Sequence, residues 1–277
     1  MAKTRLRVCV PYPNHGRISD ETLKGIDELL KVDSLEISVQ RVQTTSIGLG
    51  RNAGVNMGAS SAVRQGGWDW DYYLSLDGDI GFKAEDALKL LSAGKDIISG
   101  AYQYRCDANK MVAGTLNKYG ICEHGTYLDW TETGIKKVDW AGSGFVLIKR
   151  EVFEAVDYPW YQESVVKFTD DQGVKQACYT SDDITFFTKA ADAGFEVFVD
   201  CDCKVKHLVE FNPMSGDVSA ASVTNDFGRI QNEMSGIDGL IADKQKEVER
   251  LTLYKAELNG QLLYAQKILQ RMSQNQN

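Results

Sequence analysis

The chain has 277 residues, 43% hydrophobic and 25% charged, with 25 glycines and a formal net charge of -8. That length holds one large α/β domain plus an appendage. The acidic balance excludes a broad, sequence-independent grip on nucleic acid, which needs a basic face, although it leaves room for a local basic cleft.

The first residues, Met1 to Arg7, are short, polar and basic, and lead directly into a strand. They do not read as a signal peptide, and no apolar stretch approaches a membrane span. The expectation is a cytoplasmic protein whose six cysteines are reduced thiols. Cys201-Asp202-Cys203 and the pair Cys122 and His124 suggest metal ligands, but neither has a second pair at zinc-like spacing.

Arg5 to Pro11 reads as a first strand, followed by a loop through Tyr12-Pro13-Asn14-His15-Gly16. Ser19 is a helix cap, with Leu23, Ile26, Leu29 and Leu30 at helical spacing behind it. Leu35 to Val42 alternates as a second strand, and the glycine-led segment 47–64 reads as a helix. Next come a strand ending at Asp77, a helix over 84–93 and a strand over 96–102. Strands alternating with helices predict a mostly parallel sheet with helices on both faces.

The pattern loosens over 104–136 into loops with short strands. Val138-Asp139-Trp140 leads through Gly142-Ser143-Gly144 to a strand over 145–148, then a helix over 151–156 that Pro159 ends. Ser181-Asp182-Asp183 caps a helix running to Gly194; a strand over 195–199 and an extended piece at 205–207 follow. Past Asn225 a heptad appears from Ile237 to Met272, apolar at nine of eleven seam positions. Its exceptions, Lys244 and Lys255, weaken the seam. This predicts a catalytic domain over 1–215 and a long C-terminal helix over 216–277 that supports homo-oligomerisation or lies along its own domain.

The segment Tyr72-Tyr73-Leu74-Ser75-Leu76-Asp77-Gly78-Asp79 is the most informative one. An apolar strand ends in two carboxylates, as a buried strand does at the carboxyl edge of a sheet where ligands bind. In extended chain, residues i and i+2 share a face, so Asp77 and Asp79 are expected to face one cation, with Gly78 giving a diphosphate room. Hard oxygen ligands favour Mn²⁺ or Mg²⁺. The plain alternative is a strand ending in an acidic turn.

Five elements in order, Val10-Pro11-Tyr12, Gly50-Arg51-Asn52, Asp77-Gly78-Asp79, Gly142 to Ile148, and Ser181 to Phe186 with His207 downstream, resemble the GT-A glycosyltransferases. The likeness spans roughly residues 5 to 210 and is nearest to compact, family-2-like bacterial and bacteriophage members. It implies a GT-A (Rossmann-like) α/β fold and a metal-dependent transfer of a sugar from a nucleotide diphosphate, UDP first, to a hydroxyl acceptor. Asp77, Asp79 and His207 would hold the metal, with Asp77 also on the donor side. Pro11 and Tyr12 would frame the base, and Arg51 and Asn52 would line the nucleotide side of the cleft. Asp183, with Asp182 beside it, would be the base of an inverting reaction. The acceptor is a glycan, a protein or a modified nucleobase, the last favoured only by a small patch of Arg105, Lys204 and Lys206. Trp140, Trp160 and Tyr161 suit the apolar faces of a sugar, or the core. The competing readings are a nucleotidyltransferase making a nucleotide-sugar, and a non-catalytic sugar-binding scaffold with a coiled-coil tail. The first lacks its glycine-rich basic signature after the first strand.

Overall fold

The computed structural model describes residues 3–13, 17–56, 63–105, 107–121 and 126–208. The expected C-terminal helix, His15, Cys122, His124 and Met57 to Ala59 therefore lie outside the described residues. In chain order the elements are β1 (Thr4–Pro13), α1 (Asp20–Leu29), β2 (Leu35–Thr44), α2 (Ile47–Val55), β3 (Tyr72–Leu76), β4 (Ile80–Gly81) and α3 (Ala84–Ser92). Then follow β5 (Ile97–Ala101), β6 (Gln103–Tyr104), β7 (Asp107–Thr115), β8 (Thr126–Asp129), β9 (Ile135–Val138), β10 (Trp140–Ala141) and β11 (Phe145–Lys149). The last are α4 (Arg150–Ala155), β12 (Ser164–Thr169), β13 (Lys175–Thr180), α5 (Asp182–Asp192), β14 (Val197–Lys204) and β15 (Lys206–His207).

A seven-stranded sheet in the order β2-β1-β3-β11-β5-β14-β9 carries the fold. β1 runs parallel to β2 and β3, and β5 parallel to β14. β11 enters between β3 and β5 antiparallel to both, and β9 closes the edge antiparallel to β14. Five of the seven strands therefore point the same way, in keeping with the mostly parallel sheet expected, while β11 and β9 run against them. The reason is local: β11 follows β10 by a three-residue turn, not a crossover helix. It therefore starts at the carboxyl edge of β3, where the Asp77 N–H donates to the Gly144 carbonyl at 2.8 Å.

Side chains alternate across the sheet and build two cores. Leu6, Val8 and Val10 of β1, Leu74 and Leu76 of β3, and Phe145 and Leu147 of β11 pack with Ile26 of α1 and Leu90 of α3. On the other face Cys9, Tyr73, Val146 and Ile148 pack with Val55 of α2, Phe153 of α4, and Phe186 and Phe187 of α5. Helices therefore cover both faces. Alternation would put Cys201 and Cys203 on one face, but the register of β14 shifts between Asp200 and Lys204, and Cys201 joins one core and Cys203 the other. Cys9, Cys201 and Cys203 are buried free thiols, and burial pushes the Cys203 thiol up to about 12.

Three local differences from expectation bear on the site. α2 ends at Val55, with the Asn56 N–H on the Asn52 carbonyl, instead of continuing to residue 64. Its glycines serve packing: a Cβ on Gly50 would lie 2.8 Å from Pro11 Cβ, and one on Gly54 would overlap the Cys9 sulfur. The loop region holds a nine-residue strand, β7, pairing with β6, β8 and β10. Finally, β12 and β13 form an unforeseen hairpin, whose polar residues gave no clear period. It is held by Phe168 stacked on Tyr119 at 4.5 Å and by Lys118 on Asp171. Among the described residues no helix is long and apolar enough to cross a membrane.

Candidate functional site

The carboxyl edge of β3 does not stay extended past Leu76. The Ile80 N–H donates to the Asp77 carbonyl at 3.1 Å, closing a turn over 77–80. A turn separates the side chains that a strand would have aligned, and the two carboxylates go different ways. Gly78 is not in the left-handed region, and a Cβ there would only touch Ile18 Cα at 3.5 Å, so neither strain nor crowding demands glycine. Asp77 and Asp79 thus have separate arginine partners, Arg51 and Arg105.

Asp77 turns inward to Arg51. The Arg51 guanidinium, only 4% exposed, donates through Nη2 to Asp77 Oδ1 at 2.8 Å. Its Nη1 donates to Asp183 Oδ1 at 2.7 Å and Asp182 Oδ2 at 3.0 Å. One buried cation thus joins β3, α2 and the start of α5. It reaches the cluster because the glycines of α2 let that helix lie close to β1, and it rests over the Tyr161 ring at 5.7 Å. A Cβ on Gly48 would lie 2.9 Å from Asp182 Oδ2, so the first turn of α2 also admits that carboxylate. Burial alone would lower the Arg51 pKa, but the three carboxylates outweigh it and hold the group protonated.

Asp183 is the informative titrating group. Burial raises its pKa, Arg51 opposes, and the charges of Asp182 and Asp77 raise it further, to about 6. Its side chain keeps 23% of its surface exposed and so remains reachable from solvent. Ser181 caps α5 by accepting from the Ile184 N–H, which leaves Asp182 and Asp183 in the first turn of the helix without using either as the cap.

Asp79 turns outward to His207. The ladder between β4 and β15 pairs His207 with Ile80, and the Leu208 N–H donates to the Asp79 carbonyl at 2.8 Å. This brings His207 Nε2 to 3.7 Å from Asp79 Oδ2. His207 Nδ1 lies 2.9 Å from the Gln103 carbonyl, which assigns the ring proton to Nδ1 and leaves the Nε2 lone pair facing Asp79. Arg105, just past β6, fills the space between them: Nη2 donates to Asp79 Oδ2 and Nε donates to His207 Nε2 at 3.0 Å. Burial and the Asp77 charge raise the Asp79 pKa, with the Arg105 charge opposing.

Tyr102 ties the two halves together, and the sequence reading missed it. Its ring meets His207 edge-on at 5.2 Å, and its hydroxyl accepts from the Gly144 N–H at 3.1 Å. A Cβ on Gly142 would overlap that hydroxyl, and one on Gly144 would sit 2.9 Å away. The Gly-Ser-Gly segment therefore makes room for a tyrosine, where an approach of sugar or acceptor was expected. A buried aromatic just past β5 was the only available signal.

Other expected positions fall elsewhere. Asn52 is buried and clasps the Tyr161 backbone, donating to its carbonyl at 2.6 Å and accepting from its N–H at 3.0 Å. Pro11 is buried against α2, while Tyr12, at the carboxyl end of β1, is half-buried. Trp140, Trp160 and Tyr161 are all core, with the Trp160 indole donating to the Val156 carbonyl at 2.9 Å. The basic patch is absorbed locally as well: Lys204 donates to the Trp130 carbonyl, Lys206 pairs with Glu21, and Arg105 pairs with Asp79.

No protein-family model matches the chain, and no curated protein matches it in sequence. Solved structures do share part of its shape. A crystal structure of A197 from STIV is 16% identical over 76% of this chain and 99% of that one, with a TM-score of 0.42. A crystal structure of GalNAc-T7 with UDP, GalNAc and Mn²⁺ is 13% identical over 80% of this chain, also with a TM-score of 0.42. The chain spans about half of that protein, 47%. Overlaps of this size transfer neither a family nor an activity.

Among the described residues no group of three His, Cys, Asp or Glu side chains comes together as a metal centre. Of the expected set of Asp77, Asp79 and His207, Asp77 is paired with Arg51 and Asp79 with Arg105. Asp79 and His207 remain a fitting pair for a divalent ion. Two donors about 2.1 Å from one ion lie about 3.0 Å apart when adjacent, so Asp79 Oδ2 and His207 Nε2, 3.7 Å apart with Arg105 between them, would have to close together to share one. The Nδ1–H bond to a backbone carbonyl is the support that metal-binding imidazoles have.

Proposed function

We propose that the protein is a divalent-metal-dependent glycosyltransferase that moves a sugar from a nucleotide diphosphate, UDP first, to a hydroxyl acceptor. The observation that carries the reading is the juxtaposition of two acidic sites on one sheet edge. Asp79 and the His207 lone pair converge on one point, and a reachable Asp183 with a pKa near 6 stands beside Arg51 and Asp77. A cation-holding pair next to a carboxylate poised near neutral pH is what transfer from a diphosphate leaving group to a hydroxyl requires. The ordered motifs from Pro11 to His207 support the same reading.

Asp79 and His207 would hold Mn²⁺ or Mg²⁺, whose charge would neutralise a departing diphosphate. Asp183 is ionised at neutral pH and takes the acceptor hydroxyl's proton as the oxygen attacks the anomeric carbon, inverting it. Arg51 aligns Asp183, Asp182 and Asp77 through its two terminal nitrogens. Tyr12 offers its ring at the end of β1 to the donor base. The acceptor is a glycan, a protein or a modified nucleobase.

The test is a screen of nucleotide sugars by thermal shift and sugar release, with and without Mn²⁺, on the wild type and Asp79→Ala. One donor should raise the melting temperature only with metal, and Asp79→Ala should lose that response. A protein that no nucleotide stabilises under any metal condition is not a glycosyltransferase of this kind.

A further inference from the structure

The Arg105 guanidinium contacts both atoms that the site offers to a cation, Asp79 Oδ2 and His207 Nε2. It is otherwise free to leave. Its side chain is 54% exposed, and it stands on the short turn joining β6 and β7. A divalent ion and this guanidinium cannot both use the His207 lone pair, because one lone pair serves one partner. They also compete for the same Asp79 oxygen. Once displaced, an arginine beside a cation-bound diphosphate faces the anion its planar fork suits best.

We propose that Arg105 is a resident counter-ion that the divalent metal must displace, and that the freed guanidinium then grips the donor diphosphate. The proposal rests on the donor-site reading above and adds a residue that the sequence motifs did not include. Its consequence is a coupling between ligands. Metal alone binds against the arginine, whereas metal and nucleotide together give the arginine a new partner. Each ligand therefore raises the affinity for the other. Gln103 and Arg105 flank Tyr104 on one short segment, so the strand that orients His207 also delivers the competing charge.

The experiment is a titration with Mn²⁺, following free ion by electron paramagnetic resonance, for the wild type and Arg105→Ala, each with and without UDP. Thermal melts establish that the variant is folded. Arg105→Ala should bind Mn²⁺ alone more tightly, by about two- to five-fold, the scale of one exposed ion pair. It should bind UDP more weakly at saturating Mn²⁺, and the mutual enhancement should shrink. Equal or weaker Mn²⁺ binding by Arg105→Ala overturns the proposal. UDP binding by the wild type without any Mn²⁺ uptake also overturns it, making the arginine the site's permanent cation. Absence of both ligands from both proteins defeats the donor-site reading as well, so the two failures are distinguishable.

Discussion

Two arginines hold the two ends of Asp77-Gly78-Asp79, and they differ in almost everything but charge. Arg51 is 4% exposed, has three carboxylate partners and sits at the centre of a closed cluster. Arg105 is 54% exposed, has a carboxylate and an imidazole, and stands at the rim. Burial separates their roles. Removing a buried partner strands unpaired charge in a medium that solvates it poorly, whereas water replaces an exposed partner at little cost. The first arginine is therefore part of the fold and the second an exchangeable occupant. One short acidic motif thus contains a half closed into the interior and a half paired at the rim.

The largest test of that contrast is Arg51→Met. It leaves Asp77, Asp182 and Asp183 facing one another without a cation, and should cost about 3–5 kcal/mol in urea denaturation. A variant as stable as the wild type would show that the cluster is not held by its arginine. Asp183→Asn probes the same cluster through pH. A carboxyl whose folded pKa is raised from 3.8 to about 6 binds its proton more tightly in the folded state. Its contribution is fully present below the unfolded value and is lost as pH rises through the folded one. The wild type should therefore gain stability relative to Asp183→Asn as pH falls from about 7 to 4. Melting curves for the two proteins across that range read the difference; parallel curves would remove Asp183 from its titrating role. Transfer activity should decline in the opposite sense, falling below about pH 6 as Asp183 takes up a proton. The smallest stability effect belongs to Asp79→Ala, which should shift unfolding by less than about 1 kcal/mol, since its partner is rim-exposed. The same variant should nevertheless lose metal-dependent donor binding, and calorimetry on one sample reads both.

Much of the helix placement was legible beforehand. Ser19 and Ser181 do cap helices, and the apolar positions of Leu6 to Val10, Tyr73 to Leu76 and Phe145 to Ile148 do alternate into two cores. Caps and periods are local, acting over four residues or fewer, so the sequence carries them directly. The direction of β11 was not legible, because an apolar strand reads the same way up or down. The β12–β13 hairpin was missed because one of its faces meets water and its polar pattern resembles a loop.

At the site, residue identity indicated which groups to examine, and the ordered acidic motifs drew Asp77, Asp79, Asp182, Asp183 and His207 together as candidates. Their partition was tertiary. Only the turn at 77–80 separates Asp77 from Asp79, and only the closeness of α2 to β1 carries Arg51 between residues 26, 131 and 132 positions away in sequence. Arg105 reaches His207 across 102 positions, and Tyr102 reaches Gly144 across 42. Helical spacing and strand alternation say nothing at such separations. The sequence by itself determined the elements and the chemistry available at the sheet edge. Tertiary packing decided which carboxylate pairs with an arginine in the interior and which with one at the rim, because burial and charge pairing depend on neighbours that the chain brings together only when it folds.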